Sequence, residues 1–228
     1  MVNNVAIIPA RYGSKRIPQK NFKILGGKPL LAHTIEQALR SRYLQQIVIS
    51  TDFADIDQFL HGYDRSKITT HMRPEALAGD LVTTEEVLLS VLDQEWAKGV
   101  EYIVTLPPTT PFRSAETIDK CIELFLSKKA DSVLAVSRAK IRIGSFDPQT
   151  LEFSFAMKTP PSKMSEWPLT FFDNSSVYIT KSSVLRQKKY ILGQNNYAVE
   201  TDKIQGHDIN DLVDWAFAES LIEKGFVK

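Results

Sequence analysis

Apolar residues in this chain fall into short continuous runs separated by polar loops and by stripes at helical spacing. Val5-Ala6-Ile7-Ile8, Ile47-Val48-Ile49, Tyr102-Ile103-Val104-Thr105-Leu106 and Ser132-Val133-Leu134-Ala135-Val136 are unbroken runs of the kind carried by strands buried on both faces. Leu30, Leu31, Ile35, Ala38 and Leu39 recur at helical spacing behind Pro29, which a first helical turn tolerates. Further helices are expected from about Asp55 to Leu60, after a Thr83 or Thr84 cap (Val87, Leu88, Val91, Leu92), and after a Ser114 cap. The Ser114 helix has Ile118, Cys121, Ile122, Phe125 and Leu126 on its apolar face. A brief strand is expected at 68–70 and another at Val177-Tyr178-Ile179. The last helix begins near Asp211 with Leu212, Trp215, Ala216, Ala218 and Leu221-Ile222. Strand and helix alternate, which predicts an α/β fold with a doubly wound, Rossmann-like, mostly parallel sheet covered by helices on both faces.

That rhythm breaks over about 138–172. Phe146-Asp147-Pro148, the alternation Phe153-Ser154-Phe155 and Pro160-Pro161 predict a hairpin excursion from one domain spanning 1–228. Exposed aromatics on a hairpin are a liability for a monomer, so the excursion is expected to pack on a partner subunit and form a homodimer.

A chain of 228 residues can bury a full core, and its 28 basic against 27 acidic residues leave a net charge of +1. Such a balance excludes a general nucleic-acid or membrane-surface binder, whose basic excess is missing here. No apolar run reaches the roughly 20 residues of a spanning helix, and the first residues lack a signal-peptide pattern. The single Cys121 suits a reducing compartment. The expectation is a cytoplasmic protein without a membrane or nucleic-acid partner.

Positive charge is concentrated where the first strand ends. Arg11, Lys15, Arg16 and Lys20 follow Ile8 closely, with Gly13 among them. Ligands of open parallel sheets bind at the carboxyl ends of strands, and charged forks around a glycine suit a polyphosphate. Fixed cations there also stabilise the charge that develops on a leaving pyrophosphate. A solvated basic loop is the competing interpretation of the same residues. The spacing matches neither a P-loop lysine motif nor a dinucleotide fingerprint.

Ala10-Arg11-x-Gly13-Ser14-Lys15-x-x-Pro18-x-Lys20-Asn21 resembles the signature of the cytidylyltransferases that make CMP-sialic acid and related CMP-nonulosonates. The resemblance continues in Gly27-Lys28-Pro29-Leu30, Ser50-Thr51-Asp52 and Arg73-Pro74-Glu75-x-Leu77-Ala78-x-Asp80. It returns in Pro108-Thr109-x-Pro111-x-Arg113, Asn174-x-x-Val177-Tyr178-Ile179 and Asp208-Ile209-x-x-x-x-Asp214-Trp215, and is weakest at about 138–170.

The resemblance implies transfer of CMP from CTP to the anomeric hydroxyl of a 2-keto sugar acid, with Mg²⁺ and release of pyrophosphate. It implies that Ala10, Arg11, Gly13, Ser14, Lys15, Lys20 and Asn21 meet the nucleotide, with Lys20 along the reacting phosphates. Lys20, Arg11 and Asp208 are the implied catalytic residues. Arg73, Asp80, Thr83 and Thr84 fall where the family reads cytosine and ribose, while Arg73 also suits a turn before Pro74. Pro108, Thr109, Thr110 and Asn174 fall at the sugar. Relatives often carry a sugar-touching glutamine where this chain has Pro107, which has no side-chain hydrogen bond to offer. The family's Asp-Ile-Asp metal pair reads Asp208-Ile209-Asn210-Asp211 here, giving Asp208, Asn210 and Asp211 as expected Mg²⁺ ligands, and Asn210 or Asp211 alternatively as a helix cap.

His33, His61, His71 and His207 show no metal-like spacing. The same chemistry on a 3-deoxy-manno-octulosonate or amino-octulosonate is the nearest alternative. Purine or uridine nucleotidyl transfer and a non-catalytic nucleotide-binding relative follow it.

Overall fold

The computed structural model describes residues 3–139, 141, 143–156, 162–167 and 169–227. The chain opens with β1 (Asn4–Pro9), a tight hairpin of β2 (Ile24–Leu25) and β3 (Lys28–Pro29), and α1 (Leu30–Arg40). Gly26 and Gly27 have φ of 57° and 86°, the left-handed pair that a two-residue hairpin turn requires. Then follow β4 (Ile47–Thr51), α2 (Ile56–Phe59), β5 (Ile68–Met72), α3 (Thr84–Leu92), β6 (Tyr102–Thr105), α4 (Ala115–Lys128) and β7 (Ser132–Ala139). The chain ends with β8 (Gly144–Phe146), β9 (Phe153–Phe155), β10 (Thr170–Lys181), α5 (Ser182–Lys188), β11 (Asn196–Thr201) and α6 (Leu212–Glu223).

Seven strands form the central sheet in the order β11-β7-β10-β6-β1-β4-β5. All neighbours pair in parallel except β10, which runs antiparallel to both β6 and β7. The continuous apolar runs work because a strand's period of two sends alternate residues to opposite faces. Ala6, Ile8, Ile47, Ile49, Tyr102 and Val104 face one layer with Leu31, Ile35 and Ala38 of α1 and Ile118, Cys121, Ile122 and Phe125 of α4. Val5, Ile7, Val48 and Ile103 face the other with Leu88, Val91 and Leu92 of α3 and Leu185 of α5. The doubly wound α/β expectation holds.

A third cluster lies near the carboxyl ends of the strands. Ile17, from the middle of the basic loop, packs with Leu25, Leu30, Ile209, Trp215 and Ala218. Burying Ile17 and Ile209 stabilises by roughly 1.5–3 kcal/mol each, and ties the basic loop to the segment before α6.

Several boundaries differ from the sequence expectation. Leu126 on α4, and Leu212 and Ala216 on α6, lie toward solvent, narrowing both apolar faces. β10 begins at Thr170 rather than near Val177, and a bulge between Asp173 and Tyr178 interrupts its pairing with β7. α5 and β11 were not expected. Of the 138–172 excursion, residues 138–139 and 170–172 belong to the central sheet, and β8 and β9 form an antiparallel hairpin; Pro160-Pro161 lies outside the described residues. Among the described residues no helix is long and apolar enough to cross a membrane.

Candidate active site

β1 lies between β6 and β4, so successive crossovers leave it in opposite directions. Such a switch point opens a crevice at the strand ends. Three segments meet there: the basic loop after β1, the loop after β6, and residues 207–211 before α6.

The basic loop is held from below. Tyr12 N donates to Asp52 Oδ1 at 2.6 Å, and the Tyr12 ring stacks on Phe53 with centroids 4.6 Å apart. Asn21, almost fully buried, donates from Nδ2 to Arg11 O at 2.8 Å and closes the loop on itself. Gln19, at φ 52°, donates to the Tyr12 hydroxyl and turns the chain so that Lys20 points back across the loop. Lys20 Nζ donates to Ile209 O at 2.7 Å. Burial holds the Lys20 ammonium below its usual pKa, while Asp208 pulls in the opposite direction. Ile209 N in turn donates to Thr109 O at 2.8 Å, so one peptide segment joins all three loops.

Arg73 lies beneath the cleft. Its Nε donates to Ser50 O and Ser50 Oγ, each at 3.1 Å, and Nη2 donates to Ser50 O at 2.9 Å. Burial lowers the guanidinium to about 10, with Asp52 partly opposing. Asp80 accepts from Arg11 Nη1 at 2.7 Å and lies 2.5 Å from Lys15 Nζ. These two cations hold its carboxyl below the usual range. Thr83, rather than Thr84, caps α3: its Oγ1 accepts from Glu86 N at 3.2 Å while Thr83 N donates to Glu86 Oε2 at 2.7 Å.

The loop after β6 is organised by Arg113, whose side chain is 1% exposed. Its Nη2 donates to Pro107 O, Thr110 O and Thr110 Oγ1, and Nη1 to Thr34 Oγ1 at 3.3 Å. Burial pushes this guanidinium down to about 9, offset in part by Asp208. Asp208 Oδ2 accepts from Asn210 Nδ2 at 2.9 Å, whereas its Oδ1 is buried without a hydrogen-bond partner. Asp211 caps α6, accepting at Oδ1 from Val213 N at 2.9 Å and Asp214 N at 3.1 Å.

A cleft of about 560 Å³ collects most of the expected residues. Arg11, Ser14, Lys15, Lys20, Asn21, Arg73, Asp80, Thr83, Thr84, Pro108, Thr109 and Asn210 line it, together with Arg16 and Pro107. Ala10 is buried in the core beneath it, and Gly13 is off its wall. Asp208 instead lines a neighbouring cavity of about 590 Å³ with His207, Lys203, Arg138, Asp173 and Ser175.

Three of the expected site residues also hold the surrounding structure by hydrogen bonds. Asn174, 2% exposed, donates from Nδ2 to Ser137 Oγ (2.8 Å) and Thr201 Oγ1 (2.7 Å), and accepts at Oδ1 from Ser176 N and Oγ. Its amide is hydrogen-bonded at both ends inside the protein, at the wall of the cavity that Asp208 also lines. Thr110 is fully buried and engaged with Pro107 O, Ser175 O and Arg113, which shapes the loop after β6. Asp211 serves the helix cap through Oδ1.

Asp52 and Arg113 were not expected as site supports. Both stand inside sequence segments that drew attention, but a single chain does not show which loop each one holds.

The groups near Asp208 offer few donors for a divalent cation. Among the described residues no group of three or more His, Cys, Asp or Glu side chains is placed to hold one. A partnerless buried carboxylate oxygen beside an asparagine nonetheless fits Mg²⁺, which takes one or two carboxylates and completes its shell with phosphate and water.

The cytidylyltransferase family model matches residues 5–202. Among curated proteins, the chain is 33% identical over 228 residues to a CMP-N,N'-diacetyllegionaminic acid synthase of Legionella pneumophila, covering 96% of both. It is 29% identical to an N-acylneuraminate cytidylyltransferase of Escherichia coli, over 96% of this chain and 52% of that one. A pseudaminic acid cytidylyltransferase of Campylobacter jejuni is 24% identical, over 96% of both chains. Among solved structures, a CMP:2-keto-3-deoxy-manno-octonic acid synthetase complexed with CTP superposes with a TM-score of 0.72 at 16% identity, covering 98% of this chain and 99% of that one. At that identity the likeness establishes the fold.

Proposed function

The chain belongs to the cytidylyltransferase family, and from that premise we propose that it transfers CMP from CTP to the anomeric hydroxyl of a nonulosonic, sialic-acid-like 2-keto sugar acid, releasing pyrophosphate. The observation that carries this reading is one cleft at the sheet's switch point in which Arg11, Lys15, Arg16 and Lys20 face the segment bearing Asp208 and Asn210. The nonulosonate acceptor is supported by relatives named for legionaminic, N-acylneuraminic and pseudaminic acids.

In the proposed reaction the sugar hydroxyl oxygen bonds to the α-phosphorus and loses its proton, while the bond from that phosphorus to the pyrophosphate oxygen breaks. Negative charge grows on the leaving group. Lys20 is suited to meet it, because the hydrogen bond to Ile209 O fixes its ammonium before substrate arrives. Arg11, Lys15 and Arg16 supply charged donors for the outer phosphates. Arg73, aligned on Ser50, is the proposed reader of the base. Asp208, with Asn210 beside it, would hold Mg²⁺, which would supply charge neutralisation to the phosphates.

The hairpin aromatics Phe146, Phe153 and Phe155 are 58%, 54% and 43% exposed, which supports a homodimer built through β8 and β9. The lone buried Cys121 supports a cytoplasmic enzyme.

The test is pyrophosphate release with each of the four nucleoside triphosphates across legionaminic, N-acetylneuraminic, pseudaminic and octulosonic acids. CTP with a nonulosonate is expected to dominate. Equal turnover of the four nucleotides, or preference for the octulosonate, contradicts the assignment.

A further inference from the structure

The charge on the wall of the cleft is mostly positive. Arg11, Lys15, Arg16, Lys20 and Arg73 line it, and among the described residues Asp80 is the only acid on its wall. Asp80 divides its two oxygens between two of them: Oδ1 is 2.7 Å from Arg11 Nη1, and Oδ2 is 2.5 Å from Lys15 Nζ. The partners lie on different segments. Arg11 and Lys15 belong to the basic loop, whereas Asp80 lies between the short turn Glu75–Leu77 and the capped start of α3.

Cations this close repel one another when nothing anionic lies between them. The Asp80 carboxylate supplies that anion to Arg11 and Lys15. Phosphate oxygens accept from the same charged donors in the same way. A polyphosphate and Asp80 therefore compete for Arg11 and Lys15. Asp80 is 38% exposed and Lys15 85%, so water reaches both partners and the exchange needs no opening of the core.

We propose that Asp80 is a positioning residue whose ion pairs hold Arg11 and Lys15 in place of phosphate, and that a polyphosphate binds by displacing its carboxylate. The proposal rests on the cleft accepting a nucleoside triphosphate, and it adds a specificity rule. Ligands that need both cations work against Asp80, while a nucleoside without phosphates does not. A residue that contacted base or ribose would have the opposite signature.

The experiment is calorimetric titration of inorganic pyrophosphate, CTP and cytidine into the unaltered protein, Asp80→Asn and Asp80→Glu, without divalent cation. Asp80→Asn is expected to bind pyrophosphate and CTP about three- to tenfold more tightly, the scale of losing two exposed ion pairs, with cytidine unchanged. Its KM for CTP falls without a rise in kcat, and Asp80→Glu stays near the unaltered protein. Weaker CTP and cytidine binding with unchanged pyrophosphate binding overturns the proposal in favour of a nucleoside contact. Uniform weakening of all three ligands overturns it in favour of a purely structural role. Failure of the unaltered protein to bind either CTP or pyrophosphate overturns the nucleotide assignment itself and this proposal with it.

Discussion

Replacing Asn174 with alanine separates a structural amide from a substrate-binding one. The side chain makes four hydrogen bonds: two donated to Ser137 Oγ and Thr201 Oγ1, two accepted from Ser176 N and Oγ. Its partners Ser137 and Ser176 are fully buried. They are also tight: a Cβ on Gly206 would come within 2.5 Å of Ser137 Oγ and 2.7 Å of Asn174 Nδ2. Truncation leaves the Ser176 N–H without its acceptor. Ser137 Oγ and Thr201 Oγ1 keep the carbonyls of Asp202 and Val136 at 3.2 and 3.4 Å, which softens the loss. One orphaned buried donor and the weakened hydroxyl bonds together come to about 3–4 kcal/mol. For a chain of this size that lowers Tm by about 10 °C. The assay is thermal melting alongside KM for the sugar acid, measured well below the variant's Tm. A Tm within about 3 °C of the unaltered protein, combined with a large rise in KM for the sugar acid, would refute the reasoning and place Asn174 at the substrate.

Lys20→Met is expected to reduce kcat/KM for CTP about 100- to 1,000-fold, read as pyrophosphate release. Because burial depresses the Lys20 pKa below 10.5, the charged form and the activity decline at lower pH than an ordinary lysine would allow; an alkaline limb at or above 10.5 contradicts this. The stability linkage has the opposite slope: the unfolded chain binds more protons there, so the Lys20 contribution rises as pH climbs from its folded value through 10.5. Asp211→Ala removes a helix cap and costs about 1 kcal/mol, or about 2–4 °C in Tm, with little change in turnover. Asp208→Asn is expected to behave in reverse, leaving Tm unchanged or higher while raising the Mg²⁺ needed for half-maximal turnover. Equal effects of the two substitutions on Mg²⁺ dependence would place Asp211 in the metal set beside Asp208.

The buried half of the fold was legible because β1, β4, β6 and β7 are continuous apolar runs that only a strand covered on both faces tolerates. β11 escaped notice because Asn196–Thr201 is an edge strand with alternate residues in solvent, and only Tyr197, Val199 and the buried Thr201 face inward. α5, seven residues long, is too short to show a period. The antiparallel direction of β10 leaves no mark on an apolar run. At the site, the basic loop announced itself by charge density behind a strand. The pairing of Asp80 with Arg11 spans 69 residues and that of Lys20 with Ile209 spans 189, distances over which sequence pattern says nothing. The internal bonds of Asn174 were hidden for a related reason: a buried, satisfied amide and a ligand-binding amide are the same letter.

Transfer of CMP itself is tested most directly by the product. The protein is incubated with CTP, Mg²⁺ and a nonulosonic acid, and the reaction is followed by phosphorus NMR with mass determination. The account predicts a single phosphodiester joining CMP to the anomeric oxygen, formed in step with inorganic pyrophosphate and absent when UTP, ATP or GTP replaces CTP. Cleavage of CTP to CDP and phosphate, or recovery of unmodified sugar acid from an active and folded preparation, would contradict it.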